Sequence, residues 1–156
     1  MYSNNLVCDI LIYINNNTEN EISVQEIADK FYFNRYYIMK LFKRELGITI
    51  NEYINKKRVY NSLLEIKNSN DSFLNIALNN GFNSLEYFSE TFKNIMGVSP
   101  RIYKKFTYFI VKSTEEETNL IRKNLLKLQV LMDNINKYVQ NRKLVQKTEK
   151  KLSIFW

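Results

Sequence analysis

A predicted helix between about residues 35 and 46 carries the side chains best suited to chemistry with a charged partner. Helical spacing turns its apolar residues to one side, and these are Ile38, Leu41, Phe42 and Leu46. The opposite side is basic and aromatic, and it consists of Arg35, Tyr36, Met39, Lys40 and Lys43. Because cationic side chains pair with phosphate oxygens, this face suits a polyanionic partner.

The charge balance of the whole chain agrees with that interpretation. Its 156 residues include 23 Lys and Arg against 16 Asp and Glu, which gives a formal net charge of +7 and a pI near 9.4. A basic surface attracts nucleic acid and releases its counterions on binding. A merely soluble basic protein would have the same balance, so charge alone leaves both alternatives open.

The absence of histidine argues against an enzyme. Histidine is the usual general base near neutral pH and the commonest metal ligand. Carboxylate-only chemistry remains, yet Glu19, Glu21, Glu26 and Asp29 are typical of a solvated helix entry. The sequence also has no glycine-rich phosphate loop and no Cys/His cluster. We therefore predict a protein that is not an enzyme and that needs no cofactor or metal.

Cysteine content and hydropathy predict the setting of the protein. Cys8 is the single cysteine and lies in an apolar stretch, so no disulfide framework exists and a buried thiol in a reducing compartment is expected. No run reaches the ~18 apolar residues of a membrane span, and the N-terminus has no basic region ahead of an apolar core. These features predict a cytoplasmic protein without a membrane partner.

The chain contains two similar blocks of roughly fifty residues. Ile27-Ala28, Phe42-Lys43 and Leu46-Gly47-Ile48-Thr49 recur as Ile76-Ala77, Phe92-Lys93 and Met96-Gly97-Val98-Ser99. Two copies are fewer than the ~3 that a solenoid needs to bury its faces. We therefore interpret them as two copies of a compact helical unit, each with a short helix, a tight turn and a second helix.

Capping residues and apolar periodicity predict the bounds of the helices. In the N-terminal half we predict helices over about residues 4 to 16, from Val24 to about Phe31 behind Ser23, and from Arg35 to Leu46 between Asn34 and Gly47. In the second copy we predict helices from Phe73 to Asn80 behind Ser72 or Asp71, from Leu85 to Met96 behind Ser84, and from Pro100 to about Lys105. The predicted core of both copies includes Val24, Ile27, Ala28, Phe31, Phe33, Phe42, Leu74, Ile76, Ala77, Phe82, Phe88, Phe92, Ile95 and Tyr103.

A longer helix, predicted from about Ile50 to Lys67, joins the two copies. At ~1.5 Å per residue it would separate them by close to the ~34 Å turn of duplex DNA, once their own widths are added. A basic cluster at residues 56 to 58 lies midway along it. Phosphate contact and simple solvation are both open for this cluster, and Arg58 could instead pair with Glu45 or Glu52.

The segment from Gly81 to Tyr103 carries the most specific pattern in the chain. Its marks are Gly81-Phe82 at the turn, Tyr87-Phe88 and Phe92-Lys93 on the helix, and Gly97-Val98-Ser99-Pro100-Arg101-Ile102-Tyr103 after it. With these marks, residues 6 to 106 resemble the DNA-binding domain of the AraC/XylS family of transcription regulators. The resemblance implies an all-α fold in which two helix-turn-helix units are bridged by a long helix. It also implies that both recognition helices enter successive major grooves on one face of the DNA.

The resemblance assigns DNA contacts position by position. On the first recognition helix they fall at Arg35, Tyr36, Met39, Lys40 and Lys43. Lys40 occupies a place where the family often has Arg, and its ammonium can still reach the O6/N7 edge of guanine, while Tyr36 can pack on a thymine methyl or a sugar. On the second helix the matching positions are Asn83, Ser84, Leu85, Glu86, Ser89, Glu90 and Lys93.

The chain departs from the family pattern at both units. Glu90 stands where a basic residue is common, and Glu86 lies one turn earlier. These carboxylates could accept hydrogen bonds from cytosine N4, or the second unit could bind weakly and serve mainly in packing. Tyr32 fills the first turn where many relatives have Gly. Because a bulky residue resists positive φ, we predict that this turn is built differently.

Beyond residue 106 the resemblance stops. Residues 106 to 111 form a β-branched and aromatic run that predicts an extended segment, and Ser113 and Thr114 precede a helix that begins with Glu115 to Glu117. That helix has a heptad seam consisting of Ile121, Leu125, Leu128, Met132, Ile135 and Val139. The seam must meet either a second copy in a coiled coil or the back of the DNA-binding domain, and we favour the second copy.

A basic tail follows the seam and contains Arg142, Lys143, Lys147, Lys150 and Lys151, with an apolar tip at residues 152 to 156. We rank a disordered, solvated tail first, nonspecific contact with DNA phosphates second and an anionic membrane surface third.

The sequence as a whole predicts a DNA-binding domain at residues 1 to 106 and a helical extension with a basic tail at residues 107 to 156. The expected function is sequence-specific transcription regulation. The expected partner is double-stranded DNA, with RNA polymerase and a homodimer formed through residues 114 to 140 as further candidates. The first helix begins almost at Met1 and the extension is short for a ligand pocket, so we expect control by abundance rather than by an effector. The competing hypothesis is a protein-interaction module with a coiled-coil tail and little DNA affinity.

Overall fold

The computed structural model describes residues 2–108 and 114–153, and eight α-helices account for most of them. Within these ranges there is no strand, so the predicted all-α class is confirmed. The helices are α1 (Tyr2–Asn17), α2 (Val24–Phe31), α3 (Arg35–Leu46), α4 (Ile50–Asn68), α5 (Phe73–Asn79), α6 (Leu85–Met96), α7 (Pro100–Tyr108) and α8 (Glu115–Ser153). The first helix-turn-helix unit consists of α2 and α3, and the second consists of α5 and α6.

The predicted caps of the first unit are present. Ser23 and Glu26 form a capping box: the Ser23 hydroxyl accepts from the Glu26 N–H at 3.1 Å, and the Glu26 carboxylate accepts from the Ser23 N–H at 3.3 Å. At the start of α3, the Asn34 side-chain oxygen accepts from the Tyr36 N–H at 2.8 Å. Gly47 ends α3 with a φ of 75°. These residues give partners to backbone groups that a helix end leaves unpaired.

The turn of the first unit has the left-handed conformation despite its tyrosine. Tyr32 has φ 59° and ψ 36°, and the Phe33 N–H returns to the Ala28 oxygen at 3.0 Å. The prediction that this turn is built differently is therefore wrong. The bond from Phe33 fixes the backbone, and the Tyr32 side chain is 95% exposed, so its bulk meets little else. A non-glycine residue in this region costs about 1–2 kcal/mol.

The linker helix α4 begins with a second capping box. The Thr49 N–H donates to the Glu52 carboxylate at 2.7 Å, and this bond lowers the pKa of Glu52 from its ordinary value. One side of α4 is buried in the core, and it includes Tyr53, Ile54, Val59, Leu63 and Ile66, whereas Leu64 is exposed. The length of α4 agrees with the prediction.

The second unit repeats the caps of the first. The Ser72 and Ser84 hydroxyls accept from the backbone N–H groups of Asn75 and Tyr87 at 3.2 and 3.1 Å, so Ser72 rather than Asp71 caps α5. Gly81 has a φ of 83° in the tight turn. This confirms the positive φ that the sequence predicted there.

Two residues predicted to lie in the core are exposed. Phe33 is 44% exposed and stacks on Tyr37 with ring centroids 5.5 Å apart, because it follows the left-handed residue that ends α2. Leu74 is 45% exposed. At about 100° per residue it lies on the side of α5 opposite to Ile76, which faces the core.

The segment after the second unit also differs from its prediction. Residues 106 to 108 are not extended but form the last turn of α7, where Phe106 packs partly against the core. The Thr107 hydroxyl donates to the Lys104 backbone oxygen at 2.7 Å, which keeps this turn helical. The remainder of the run predicted as extended, residues 109 to 111, lies outside the described residues.

The long C-terminal helix α8 packs on the rest of the protein. Its predicted start is confirmed by reciprocal bonds between Thr114 and Glu117 at 3.1 and 3.2 Å. Its heptad seam contacts α1, α4 and α6, and four residues of the seam are buried: Ile121, Leu128, Met132 and Ile135. The seam is thus covered by the DNA-binding domain itself, which is the less favoured of the two alternatives predicted from the sequence. A coiled coil through the same seam would have to displace these contacts.

The sequence also made predictions about Cys8, about membrane-spanning helices and about the basic tail. Cys8 is buried, as predicted, and burial raises the pKa of its thiol. Within residues 2–108 and 114–153, no helix combines the length and the apolar character needed to cross a bilayer. The prediction of a disordered basic tail is wrong, because the tail continues α8 as far as Ser153; residues 154 to 156 of the apolar tip lie outside the described residues.

Candidate nucleic-acid interface

The first recognition surface is the outer face of α3. Its members are all exposed: Arg35, Tyr36, Met39, Lys40 and Lys43. The inward residues Ile38, Leu41 and Phe42 are buried against α1, α2 and α4, so they fix which side of α3 faces solvent. The predicted division of this helix is confirmed. Three cations, an aromatic ring and a thioether therefore lie next to one another along one solvent-exposed face of α3.

Exposed aromatic side chains extend the first recognition surface at the start of α3. They are Tyr32, Phe33 and Tyr37, and the sequence analysis did not include them in the site. Tyr36 is 74% exposed beside them. Large apolar side chains that cluster on a surface indicate contact with a partner. The sequence signal that could have found them is their position around the turn, two or three residues from Arg35.

A cavity of about 470 Å³ borders the first recognition surface on its other side. Its lining includes Met39, Lys40, Lys43 and Arg44 from α3, together with residues at the starts of α2 and α4. The Arg44 guanidinium is 3.2 Å from the Glu45 carboxylate, and its side chain is largely exposed. Several cations therefore border this depression, whereas the starts of α2 and α4 beside it are already capped by the Glu26 and Glu52 carboxylates.

The second recognition surface lies on α6 and in the turn before it. Four of its members are exposed, and these are Asn83, Glu86, Glu90 and Lys93. Ser84, Leu85 and Ser89 are half-buried. Since the Ser84 hydroxyl caps α6, its oxygen is already engaged with the Tyr87 N–H. This surface is more acidic than the first, and Glu86 lies in the first turn of α6, where the helix dipole stabilises a carboxylate.

Arg58 holds the two units together from inside the protein. Only 8% of it is exposed, and its guanidinium donates to the backbone oxygens of Thr18 at 2.9 Å and Asn20 at 2.7 Å. The predicted solvated or phosphate-bound arginine is therefore wrong, as is its pairing with Glu45 or Glu52. Burial lowers the pKa of Arg58 from its ordinary value. Two carbonyl partners compensate for part of the lost hydration.

The rest of that basic cluster is also partly buried. The Lys57 ammonium lies 5.5 Å from the centre of the Tyr60 ring, and burial lowers the pKa of Lys57. Lys56 is half-buried and lines a cavity of about 360 Å³ between α4, α6 and α8. The middle of α4 is thus a packing region more than a free cationic surface.

Gly81 lies in direct contact with the loop between α1 and α2. A β-carbon at Gly81 would meet the Thr18 backbone oxygen, and it would stand 2.8 Å from Arg58 Nε. The turn of the second unit is therefore pressed against the loop that precedes the first unit. A further bond joins α4 to α6, where the Asn55 amide donates to the Tyr87 hydroxyl at 2.9 Å.

The family of the protein is shown by two observations together: the two helix-turn-helix units on one linker helix, and a sequence match to a known family. Residues 27–105 match the family described as "Helix-turn-helix domain". The chain belongs to the AraC family of DNA-binding transcription regulators. The match begins within α2, covers the rest of both units and α4, and ends before α8 begins.

Similar proteins support this placement in the AraC family. The transcriptional activator AarP of Providencia stuartii is 27% identical over 103 residues, which cover 66% of this chain and 76% of AarP. The multiple antibiotic resistance protein MarA of Escherichia coli is 28% identical over 95 residues, covering 61% of this chain and 75% of MarA. The DNA-binding domain of AdpA, solved in complex with a target DNA, has the same fold with a TM-score of 0.63 at 18% identity. That likeness covers 69% of this chain and 97% of the AdpA domain.

Proposed function

We propose that this AraC-family protein binds one DNA duplex through both units, with α3 and α6 in successive major grooves and α4 setting their separation. The observation that carries the proposal is the exposed cationic and aromatic face of α3, opposite a fully packed apolar face. The second unit also has a capping side chain before each of its helices, and Gly97 ends α6 in the left-handed conformation as Gly47 ends α3. An α-helix fits the major groove, and the units of a protein with two reading helices are spaced by about one DNA turn.

Within this proposal the residues of α3 divide into two roles. Lys40 reads a guanine edge, and Tyr36 and Met39 pack on thymine methyl groups, since these side chains lie near the middle of the exposed stripe. Arg35 and Lys43 contact phosphates and fix the position of the helix. The cavity beside Lys43 supports a phosphate on that side, because Lys40, Lys43 and Arg44 line it.

The residues of α6 read bases of a different kind. Carboxylates accept from cytosine N4, so Glu86 and Glu90 would select cytosine, and Asn83 would pair with adenine. Lys93 and the half-buried Ser89 lie further along the helix and would contact the backbone. An acidic helix gains nothing from the phosphates, so this unit contributes selectivity more than affinity. Leu85 is half-buried at the start of α6 and adds an apolar contact to the groove wall.

Two partner hypotheses accompany DNA binding. One partner is RNA polymerase, because a transcription regulator acts on the DNA that the polymerase uses. The other is a second copy of the chain, because Leu126 and Val130 form an exposed apolar face of α8 that does not include the buried seam. Both partners and the cytoplasmic setting remain parts of this proposal. The competing interaction module has less support, because the heptad seam that would recruit its partner is covered by α1, α4 and α6.

Selection of bound fragments from random double-stranded DNA tests the proposal. Sequencing should recover one motif with two conserved blocks about 10 base pairs apart. The affinity for that motif should fall with rising salt, since phosphate contacts release counterions. Recovery of no motif at moderate ionic strength would contradict sequence-specific binding, and a single conserved block would restrict base reading to one unit.

A further inference from the structure

We propose that α8 is a second strut that fixes the geometry between α3 and α6 and thereby restricts this protein to one spacing of its two DNA blocks. The inference rests on the proposed function, because it concerns how the two reading helices are held. It concerns a helix that lies after the residues matched to the family, 27–105. In this protein α4 and the contact of Arg58 with Thr18 and Gly81 already connect the two units, and α8 adds a further connection.

The apolar seam of α8 is part of the same core as both units. Ile121 and Ile135 are buried near its two ends, and the seam contacts α1, α4 and α6. Of these helices, α1 packs on α3 of the first unit, and α6 is the recognition helix of the second. The seam of α8 therefore extends the apolar core of the DNA-binding domain, and it does so next to the first unit as well as next to the second.

Polar contacts fix α8 to the end of α6. The Asn124 amide donates to the Met96 backbone oxygen at 3.0 Å, which gives a partner to a carbonyl that the helix end leaves free. A β-carbon at the adjacent Gly97 would stand 2.7 Å from Leu120, so the start of α8 closely covers the turn that ends α6. This contact determines where the end of the second recognition helix lies.

The other end of the strut reaches α1. The Cys8 thiol lies 3.9 Å from the Val139 backbone oxygen. Between Asn124 and Val139 the helix rises by about 22 Å at 1.5 Å per residue. Midway, the Tyr60 hydroxyl donates to the Gln129 side-chain oxygen at 3.0 Å and joins α8 to α4. The strut thus spans the domain and is attached at both ends and in the middle.

A rigid connection has a consequence for DNA. Moving one block by a single base pair turns it by about 34° and shifts it by about 3.4 Å relative to the other. A domain that bends can follow this change, whereas a braced domain cannot. We therefore expect the full chain to lose about 10-fold or more in affinity when one base pair is added to or removed from the spacer of its selected motif.

Loosening the strut should remove this spacing preference. The variant Met132→Ala with Ile135→Ala empties part of the seam, and Asn134→Ala is its control at an exposed position of α8. A milder variant, Asn124→Ala with Tyr60→Phe, deletes two polar attachments and keeps the apolar core. For the seam variant and the milder variant we expect weaker binding at the native spacing and a spacing penalty below about 3-fold. Asn134→Ala should keep the wild-type profile.

A distance measurement without DNA separates this inference from the proposed function. Spin labels at Tyr36→Cys and Glu86→Cys report the separation of α3 and α6, while the buried Cys8 stays unlabelled. The full chain should give a narrow distance distribution, and the strut variants should broaden it. Equal widths in all variants, or an unchanged spacing profile, would overturn the strut. Narrow distances that broaden as expected, in a protein that binds no motif, would support the strut and contradict the DNA function.

Discussion

The guanidinium of Arg58 donates at 2.9 Å to the backbone oxygen of Thr18, and the same oxygen lies where a side chain at Gly81 would have to be. The linker helix, the loop before the first unit and the turn of the second unit therefore meet at one point. Neither unit can rotate freely about α4 while this joint is intact. Its three components are separated by long stretches of sequence, so only the fold shows that they act together.

Removal of the Arg58 side chain should destabilise the protein. Arg58→Ala leaves the buried Thr18 carbonyl without its donor and also deletes the bond to the Asn20 carbonyl, and we expect a loss of about 2–4 kcal/mol in the free energy of unfolding. Chemical denaturation measures it. Lys56→Ala on the same helix is the control, and its effect should be within about 0.5 kcal/mol. A stable Arg58→Ala protein with a smaller salt dependence of DNA binding would instead show that Arg58 contacts phosphate.

Alanine substitutions at Gly81 and Gly47 should distinguish the cost of backbone strain from the cost of steric contact. Both have positive φ, at 83° and 75°, but only Gly81 has atoms within reach of an added β-carbon. Gly47→Ala should cost about 1–2 kcal/mol, which is the penalty for an L-residue in this conformation. Gly81→Ala should cost about 2 kcal/mol more, since the Thr18 oxygen and Arg58 must move. Thermal unfolding of the two variants side by side measures the difference in stability. Equal losses would mean that the Thr18 oxygen and Arg58 move aside at no energetic cost.

Tyr32 should be replaceable by glycine with a gain in stability. The left-handed backbone at Tyr32 is strained, and Tyr32→Gly removes a penalty of about 1–2 kcal/mol while adding up to about 1 kcal/mol of chain entropy in the unfolded state. We expect a net gain of about 0.5–1 kcal/mol in the free energy of unfolding. Tyr32→Ala keeps the strain and serves as the control, with no gain expected. If DNA affinity falls in both variants, the exposed ring also contacts DNA.

The helices and their caps could be predicted from the sequence because their signals are local. Ser23 with Glu26, Asn34 and Gly47 act within a few residues of themselves, and the structure has each of them in its predicted role. Tyr32 shows the limit of such reasoning. Its local preference opposes a positive φ, but the Phe33 N–H bond to Ala28 and the packing of α2 on α3 outweigh that preference.

The joint and the strut could not be predicted, since they depend on contacts between distant residues. Arg58 was one member of a basic cluster, and nothing near it in sequence names Thr18 as its partner. The heptad seam of α8 was recognised as apolar, yet periodicity alone does not say whether a second chain or α1 and α6 cover it. The exposed face of α3 was predictable because amphipathic spacing is again a local property.

Lys40→Ala should weaken binding to the selected motif and relax its preference at one base. Loss of a guanine contact costs about 1–3 kcal/mol in binding free energy, and the effect should be concentrated at one position of the motif. Fluorescence anisotropy on the motif and on single-base variants measures this. Lys137→Ala is the charge-matched control on the exposed side of α8. A uniform loss on every sequence would make Lys40 a phosphate contact.

Charge reversal on α6 distinguishes a base-reading helix from an interaction module. In Glu86→Lys with Glu90→Lys, two carboxylates become cations that reach phosphates, so overall DNA affinity should rise and sequence preference should fall. The slope of log affinity against log salt should steepen by about 2, one unit for each added contact. Glu115→Lys with Glu116→Lys makes the same change in net charge at the start of α8 and should leave preference intact. If neither the wild type nor the α6 variant has salt-dependent DNA affinity, the second unit does not work on DNA and the interaction module is the better account.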